Sequence, residues 1–203
     1  CLRAAQRMRG GGGEGKSKTK RRVSIYLPSV TQALQPWSDF SRINPEVLEV
    51  AADRGSAFHQ LAASHAKGLW IFEVPDNCAG FFKSFTEWFD RFVEEVVVVE
   101  KQFVDELLGF TGTPDAILRI VGDHGLTLVD WKTPRVSSKS WVVQISAYHH
   151  LAEKNGYLIS RVATLQPHPQ GKKAKFTEYT KSLNPGLAVF RSALNCWRHF
   201  NVE

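Results

Sequence analysis

The chain has 203 residues, 43% of them hydrophobic and 23% charged, which fits a single globular domain large enough to bury a core. No apolar run approaches the roughly 20 residues of a transmembrane helix, so the sequence disfavours an integral membrane protein. Three widely separated cysteines disfavour a disulfide framework, a zinc site and a four-cysteine iron–sulfur cluster, and they fit a reducing compartment.

The positive charge is concentrated near the start of the chain. Residues 1–22 carry eight basic residues and one acidic residue, a net charge of +7, whereas the remaining residues carry 18 basic and 19 acidic ones, a net charge of −1. This charge and the run Gly10–Gly13 predict a flexible basic arm over residues 1–24, followed by a folded domain over residues 25–203. The arm could bind phosphates non-specifically, or it could be a solubilising tail or a targeting segment.

Helical periodicity dominates the first part of the predicted domain. Ser29 or Thr31 is predicted to cap a helix, and longer helices are predicted over residues 46–67 and 76–94. The apolar residues of the first long helix fall near one face, which predicts that this face is buried. These residues are Val47, Val50, Ala51, Phe58, Leu61 and Ala62.

The periodicity then changes to that of β-strands. Strands are predicted over residues 96–104, 112–121 and 125–132, with a tight hairpin turn at 122–125. The remaining predicted elements are a helix over 140–155, strands over 157–166 and 173–180, and a helix over 185–200. Helices combined with consecutive strands predict an α/β fold with a mixed central sheet flanked by helices.

Acidic and basic side chains are predicted to converge on two of these strands. If residues 123–124 form a two-residue turn, paired residues sum to 247, so Asp115 faces Lys132 and Asp130 lies diagonally across. The three side chains then share one face of the sheet, and Trp131 points away from it. A turn that differs by one residue would place Asp115 on the opposite face.

Two convergent carboxylates repel each other unless a cation lies between them. Hard oxygen ligands favour Mg²⁺ or Mn²⁺, and the Trp131 backbone carbonyl could supply a further oxygen. A cation beside Lys132 is the arrangement that phosphodiester hydrolysis needs, since it activates water and neutralises the phosphate. The alternative is that Asp115 and Asp130 flank turns and that Lys132 pairs with one of them on the surface.

Three residues on predicted helices extend this set. Gln144 and Tyr148 are spaced i, i+4, so they lie on one helix face directly after the strand that carries Lys132. His59 could add a nitrogen ligand, which would suit Mn²⁺, and Gly55 would permit the close approach of its helix. Alternatively, Gln144 and Tyr148 are part of a helix surface and His59 is structural.

The order of these motifs resembles the PD-(D/E)XK nuclease superfamily, in particular the RecB-type exonuclease branch that includes mitochondrial genome-maintenance and phage-encoded exonucleases. The resemblance spans roughly residues 25–155 and depends on four segments. These segments are Leu27–Thr31, Gly55–His59, Val129–Thr133 and Gln144–Tyr148.

The resemblance implies a restriction-endonuclease-like fold and assigns roles to the residues. His59, Asp115 and Asp130 would hold the metal, and Lys132 would be the catalytic lysine. Gln144 and Tyr148 would support the site. Glu100, on the first core strand, would support the ligands without binding the metal itself.

The expected function is therefore that of a metal-dependent DNA exonuclease that favours single-stranded ends and acts in replication, recombination or repair. A helicase or recombination partner would supply unwinding. A bacterial or phage-encoded cytoplasmic protein is expected, with a mitochondrial location as an alternative. The rival functions are a structure-specific or restriction-type endonuclease and a non-catalytic nucleic-acid-binding module.

Several residues outside the metal site are candidates for contact with DNA. Arg135 and Lys139 follow the strand that carries Lys132, so they are predicted to bind phosphates. Lys172 and Lys173 could track the DNA backbone or belong to a solvated hairpin. Among the aromatic residues, Trp37 and Trp70 have polar or glycine neighbours and are the best candidates for stacking on bases, whereas most others are predicted to be in the core. Of the two, Trp37 is the predicted nucleic-acid-binding residue.

Overall fold

The computed structural model describes residues 27–37 and 43–201, so the predicted basic arm lies outside the described residues. Within those ranges there are five α-helices, a five-stranded mixed sheet and a separate two-stranded sheet, which confirms the predicted α/β class. The helices are α1 (Val30–Leu34), α2 (Pro45–Ala66), α3 (Asp76–Phe92), α4 (Lys139–Lys154) and α5 (Leu183–Asn201). The strands are β1 (Val93–Val99), β2 (Phe103–Asp105), β3 (Phe110–Gly112), β4 (Ala116–Ile120), β5 (Leu126–Trp131), β6 (Ile159–Gln166) and β7 (Lys175–Glu178). No helix in the described ranges combines the length and the apolarity that a membrane crossing requires.

The start of α1 follows from its sequence. The Ser29 hydroxyl accepts a hydrogen bond from the backbone N–H of Gln32, and the Gln32 side chain accepts one from the N–H of Ser29. This reciprocal capping box satisfies two backbone donors that the first turn of a helix leaves free. It confirms Ser29 as the predicted cap.

The main sheet has the strand order β1-β4-β5-β6-β7, so β5 is its central strand. Strands β5 and β6 are parallel and are joined through α4, whereas the other neighbouring pairs are antiparallel. The loop that follows β5 therefore leads directly into α4. This connection carries the chain from Lys132 to Gln144.

The predicted strands 96–104 and 112–121 are each interrupted, and the interruptions produce the two-stranded sheet β2–β3. Glu100 ends the first run because its backbone adopts a left-handed conformation, with φ of 51°. Pro114 separates β3 from β4, since proline has no N–H to donate to a strand ladder. The sequence pattern missed this small hairpin because its two strands have only three residues each.

Two hydrophobic clusters cover the two faces of the main sheet. Neighbouring residues of β4 alternate between them, with Ile117 in one cluster and Leu118 in the other. The cluster that contains Ile117 includes residues of α1, α4 and α5, and the other cluster includes residues of α2 and α3. Trp131 is fully buried against α3, where its ring lies 5.2 Å from the ring of Phe85.

One predicted face of α2 is only partly buried. Phe58, Leu61 and Ala62 are in the core as expected, but Val47 and Val50 are 60% and 59% exposed. The buried residues of this helix begin at Phe58, so its first turns extend beyond the hydrophobic cluster. Helical periodicity locates a face, but it does not determine how much of the helix has another element against it.

The predicted register of the hairpin between β4 and β5 is wrong by two residues. Ala116 pairs with Val129 and Arg119 pairs with Leu126, so partners sum to 245, and residues 121–125 connect the strands. The same register places Asp115 opposite Asp130. A shift of two residues preserves the face to which each side chain points, so the predicted convergence did not depend on the incorrect turn.

Candidate metal and active site

The predicted acidic residues, the lysine and the histidine meet at one end of β4 and β5. Asp115 accepts a hydrogen bond from the Trp131 backbone N–H over 2.6 Å, and its other oxygen lies 3.1 Å from Nδ1 of His59. The ammonium nitrogen of Lys132 lies 2.6 Å from Oδ2 of Asp130. His59 lies on α2, Asp115 directly precedes β4, Asp130 lies on β5 and Lys132 directly follows it, so the site joins elements of both halves of the chain.

Lys132 is further held by α4. Its Nζ donates a hydrogen bond to Oε1 of Gln144 over 2.8 Å, and Nε2 of Gln144 donates to the Tyr148 hydroxyl over 3.1 Å. Gln144 and Tyr148 thus lie on one face of α4, as their i, i+4 spacing predicted, and their supporting role stays a prediction. The Gln144 side chain accepts from one neighbour and donates to the other, which restricts the position of the ammonium group.

Glu100 was expected only to support the candidate metal ligands, but it lies close enough to His59 and Asp115 to be a candidate ligand itself. One ligand atom each from His59, Glu100 and Asp115 lie within 4.8 Å of one another. The Glu100 backbone N–H also donates to the Asp115 carbonyl oxygen over 3.0 Å, which holds the left-handed turn in place. The sequence signal for Glu100 was an acidic residue after four valines, but the pattern could not reveal the turn that aims it at Asp115.

The donors in this cluster suit a hard divalent cation. Two carboxylates and an imidazole are within reach of one ion, and oxygen-rich sets with one nitrogen fit Mn²⁺ or Mg²⁺. Oδ2 of Asp130 is buried and has no hydrogen bond within the described residues, although it is ion-paired with Lys132. Metal binding by His59, Asp115, Asp130 and the Trp131 carbonyl stays a prediction.

Several groups of the cluster bind protons more strongly than usual. Burial raises the pKa of Asp130 to about 6, and repulsion from Asp115 adds to this effect while Lys132 opposes it. Burial also raises the pKa of Glu100, with Asp115 again contributing. Burial lowers the pKa of His59, but the attraction of Asp115 and Asp130 outweighs it, so the net shift is upward. The cluster therefore holds excess negative charge that a proton or a cation can compensate.

The tyrosine beside Gln144 remains a neutral hydrogen-bonding group. Burial raises the pKa of Tyr148 well above its ordinary value, and the charge of Asp130 adds to the shift. Ionisation of Tyr148 would place another negative charge beside the carboxylates. The neutral Tyr148 hydroxyl accepts the hydrogen bond from Nε2 of Gln144.

Gly112, three residues before Asp115, allows Tyr148 to reach this position. A Cβ atom at Gly112 would lie 2.7 Å from Cδ1 of Leu151, 2.9 Å from Cε1 of Tyr148 and 3.0 Å from Cγ2 of Val30. In contrast, a Cβ atom at Gly55 would meet only Oγ1 of Thr133, at an ordinary 3.6 Å. The packing at Gly55 therefore does not require a glycine, whereas the packing at Gly112 does.

These two glycines make a matched pair of substitutions. Gly112→Ala should lower the free energy of unfolding by roughly 1–3 kcal/mol, because the methyl group overpacks a site filled by buried side chains. Gly55→Ala should raise it by roughly 0.5–1 kcal/mol, since alanine is preferred in a helix interior and the space is open. Urea unfolding of both variants measures the difference. Equal stabilities would contradict the assigned packing around Gly112.

The predicted DNA-contact residues are dispersed over the surface. Trp37 and Lys139 line one apolar cleft of about 340 Å³ between α1, α4 and α5. Lys173 lines another cleft, with Trp88 and Phe92, and its neighbour Lys172 is exposed. Arg135 is exposed in the loop between β5 and α4. Binding of nucleic acid by these residues stays a prediction.

A further cleft opens directly beside the metal-binding groups. It has a volume of about 330 Å³, and His59, Lys67 and Glu100 are among its lining residues. Lys67 also lowers the pKa of Glu100 through its charge, although burial and Asp115 prevail. This cleft leaves the cluster open on the side of α2.

A scan against models of known protein families and a search of curated proteins find no match to this chain. Functional inference therefore depends on the geometry of the residues of this chain and on the resemblance of its motifs.

Proposed function

We propose that this protein is a metal-dependent deoxyribonuclease. The observation that carries the proposal is the convergence of Asp115, Asp130 and Lys132, with the lysine hydrogen-bonded to Gln144 and His59 paired with Asp115. The arrangement differs from a chance ion pair on the surface, because Asp130 is buried and Lys132 has two partners. A buried charged cluster of this kind costs stability, which favours a functional role.

His59, Glu100 and Asp115 would hold Mg²⁺ or Mn²⁺, with Asp130 and the Trp131 carbonyl as further candidate ligands. When bound, the ion would activate water and neutralise charge on the scissile phosphate. The Lys132 ammonium lies beside the carboxylates, so it would meet the non-bridging oxygens of a phosphate bound there and stabilise their developing charge. Gln144 and Asp130 restrict its motion, which reduces the reorganisation needed during the reaction.

The finer assignment is an exonuclease that favours single-stranded ends and acts in replication, recombination or repair. It rests on the motif resemblance to RecB-type exonucleases, which also suggests a restriction-endonuclease-like fold and a helicase or recombination partner. A bacterial or phage-encoded cytoplasmic protein is proposed, with a mitochondrial location as the alternative.

Cleavage of labelled DNA tests the proposal. End-labelled single- and double-stranded DNA and closed circular DNA are incubated with wild-type protein in Mg²⁺, Mn²⁺ or EDTA. Wild type should cut linear DNA in either metal but not in EDTA, and Asp130→Asn should lose this activity. Asp53→Asn is the control, because Asp53 is an exposed residue of α2.

The DNA substrates also separate the alternatives. Cleavage of linear but not circular DNA supports an exonuclease, whereas cleavage of circular DNA supports an endonuclease. If wild type retards DNA in a gel but never cuts it, a binding module replaces the nuclease proposal. If Asp130→Asn cuts as fast as wild type, the site is assigned to the wrong residues.

A further inference from the structure

Two neighbouring clefts that share lining residues lie beside the candidate metal-binding cluster. The first contains His59 and Glu100, and the second, of about 360 Å³, contains Trp70 and Phe72. Gln60 and Ser64 of α2 line both clefts. We define the two clefts together as the α2 groove. It joins the candidate active site to the segment that connects α2 with α3.

The far end of the α2 groove displays two aromatic rings to solvent. Trp70 is 83% exposed and Phe72 is 97% exposed, although both belong to a segment anchored to the protein. The anchors are Ile71 and Val74, which pack against the hydrophobic cluster beneath α2 and α3. Because Ile71 and Val74 are fixed against the core, the side chains of Trp70 and Phe72 are held toward solvent. Adjacent exposed aromatic side chains of this size mark a binding surface more often than an isolated apolar residue does.

The chemistry along the α2 groove changes from charged to aromatic. Near the cluster, Lys67 supplies a positive charge, and in the middle Gln60 and Ser64 supply an amide and a hydroxyl group. Trp70 and Phe72 supply flat apolar surfaces at the end, beside the acidic Glu73. Phosphate, polar edges and a stacking face occur together in a nucleotide, and only unpaired bases have both faces free.

We propose that the α2 groove binds single-stranded DNA, with unpaired bases stacked on Trp70 and Phe72 while a phosphate of the same strand lies at the metal-binding cluster. Lys67 neutralises a phosphate between these points, and Gln60 and Ser64 hydrogen-bond to base edges or sugars. Stacking tolerates any base, so the groove selects unpaired strands rather than a sequence. The inference rests on the proposed nuclease function and assigns the strand preference to named residues.

The test compares an aromatic deletion with an aromatic exchange. The deletion variant is Trp70→Ala/Phe72→Ala, and the exchange variant is Trp70→Phe/Phe72→Trp. The control variant is Leu158→Ala, because Leu158 is 85% exposed before β6 and outside the α2 groove. Fluorescence anisotropy in EDTA measures the Kd for labelled oligothymidylate without cleavage. Hydrolysis is measured in Mn²⁺ with the same oligonucleotide and with thymidine 5′-p-nitrophenyl phosphate, which has a single nucleoside and no adjoining strand.

The deletion variant should bind oligothymidylate at least about 30-fold more weakly than wild type, since two stacking surfaces are lost. Its KM for the oligonucleotide should rise, while hydrolysis of the mononucleotide ester stays unchanged. The exchange variant and the control should behave like wild type. Wild-type binding by the exchange variant would indicate stacking, because either aromatic ring can stack on a base, rather than a merely structural role of the two side chains.

Three outcomes would overturn the inference. The first is oligonucleotide binding by the deletion variant that equals that of wild type, and the second is an equal loss of activity on both substrates. The third is that wild type forms a dimer, that the deletion variant is a monomer and that both bind DNA equally. A second copy of the chain, rather than DNA, would then cover Trp70 and Phe72. If wild type binds oligothymidylate through these rings but hydrolyses neither substrate in Mn²⁺, the nuclease proposal fails and the binding inference stands.

Discussion

Replacing Lys132 with methionine should slow DNA cleavage by roughly 10²- to 10⁴-fold, the range expected when a positioned proton-transfer group or a charge-stabilising group is lost. Methionine keeps an unbranched stem that can pack beside Trp141, whose ring centroid lies 5.9 Å from the lysine nitrogen. The loss should therefore reflect the ammonium group rather than a cavity. Initial rates on end-labelled single-stranded DNA in Mn²⁺ measure the effect.

A control and a second measurement separate catalysis from metal binding. Lys154→Met removes an exposed lysine at the end of α4 and should cleave at the wild-type rate. Lys132→Met should still bind Mn²⁺ in calorimetry, because an ammonium group is not a metal ligand. Cleavage by Lys132→Met at the wild-type rate would remove Lys132 from the mechanism.

In the metal-free protein, stability should fall as pH rises through the titration of the metal-binding cluster. The pKa of Asp130 is raised from 3.8 to about 6, so its contribution to stability is fully present below pH 3.8 and is lost as pH rises through 6. A difference of about two pKa units between the folded and unfolded states corresponds to roughly 3 kcal/mol in the free energy of unfolding for this buried group. The raised pKa of Glu100 acts in the same direction. The raised pKa of His59 extends the loss above pH 6.5.

Mn²⁺ should restore the stability that is lost as pH rises, because a bound cation neutralises the negative charge that protons neutralise at low pH. Wild type should therefore show a higher Tm with Mn²⁺ than with EDTA at pH 7, and a much smaller difference at pH 4.5. Asp130→Asn should flatten the pH dependence of the metal-free protein and reduce the gain in Tm from Mn²⁺. Calorimetry at pH 7 in buffers of different ionisation enthalpy should detect proton release on binding. A metal-free stability that rises between pH 4.5 and 7 would contradict the assigned electrostatics.

The sequence predicted the convergence of site residues on β4 and β5 because strand alternation is a local property. Asp130 and Lys132 are two residues apart, so they share a face whatever the fold, and an error of two residues in the hairpin register left Asp115 on that face. The i, i+4 spacing of Gln144 and Tyr148 was equally local. These relations depend on the geometry of single elements, which sequence patterns describe well.

The relations that the sequence did not reveal are those between distant elements. The left-handed turn at Glu100 depends on pairing of its backbone with Asp115, and the exposure of Val47 depends on what packs against α2. The different packing of Gly55 and Gly112 likewise appears only when the neighbouring elements are in place. Motif order indicated that His59 belongs with Asp115, but periodicity alone contains no information on a contact across 56 residues.

The position of β1 at the edge of the main sheet has a consequence for self-association. Its four consecutive valines are the kind of segment that pairs with identical segments of other chains, as in cross-β aggregates. Glutamates flank this run on both sides, at Glu95 and Glu100, and its pairing with β4 is irregular at two points. Charge and irregularity both discourage the addition of a further strand. Glu100, a candidate metal ligand, would thus also act as a gatekeeper against aggregation. Glutamine at this position would keep a polar gatekeeper, whereas valine would lengthen the aggregation-prone run.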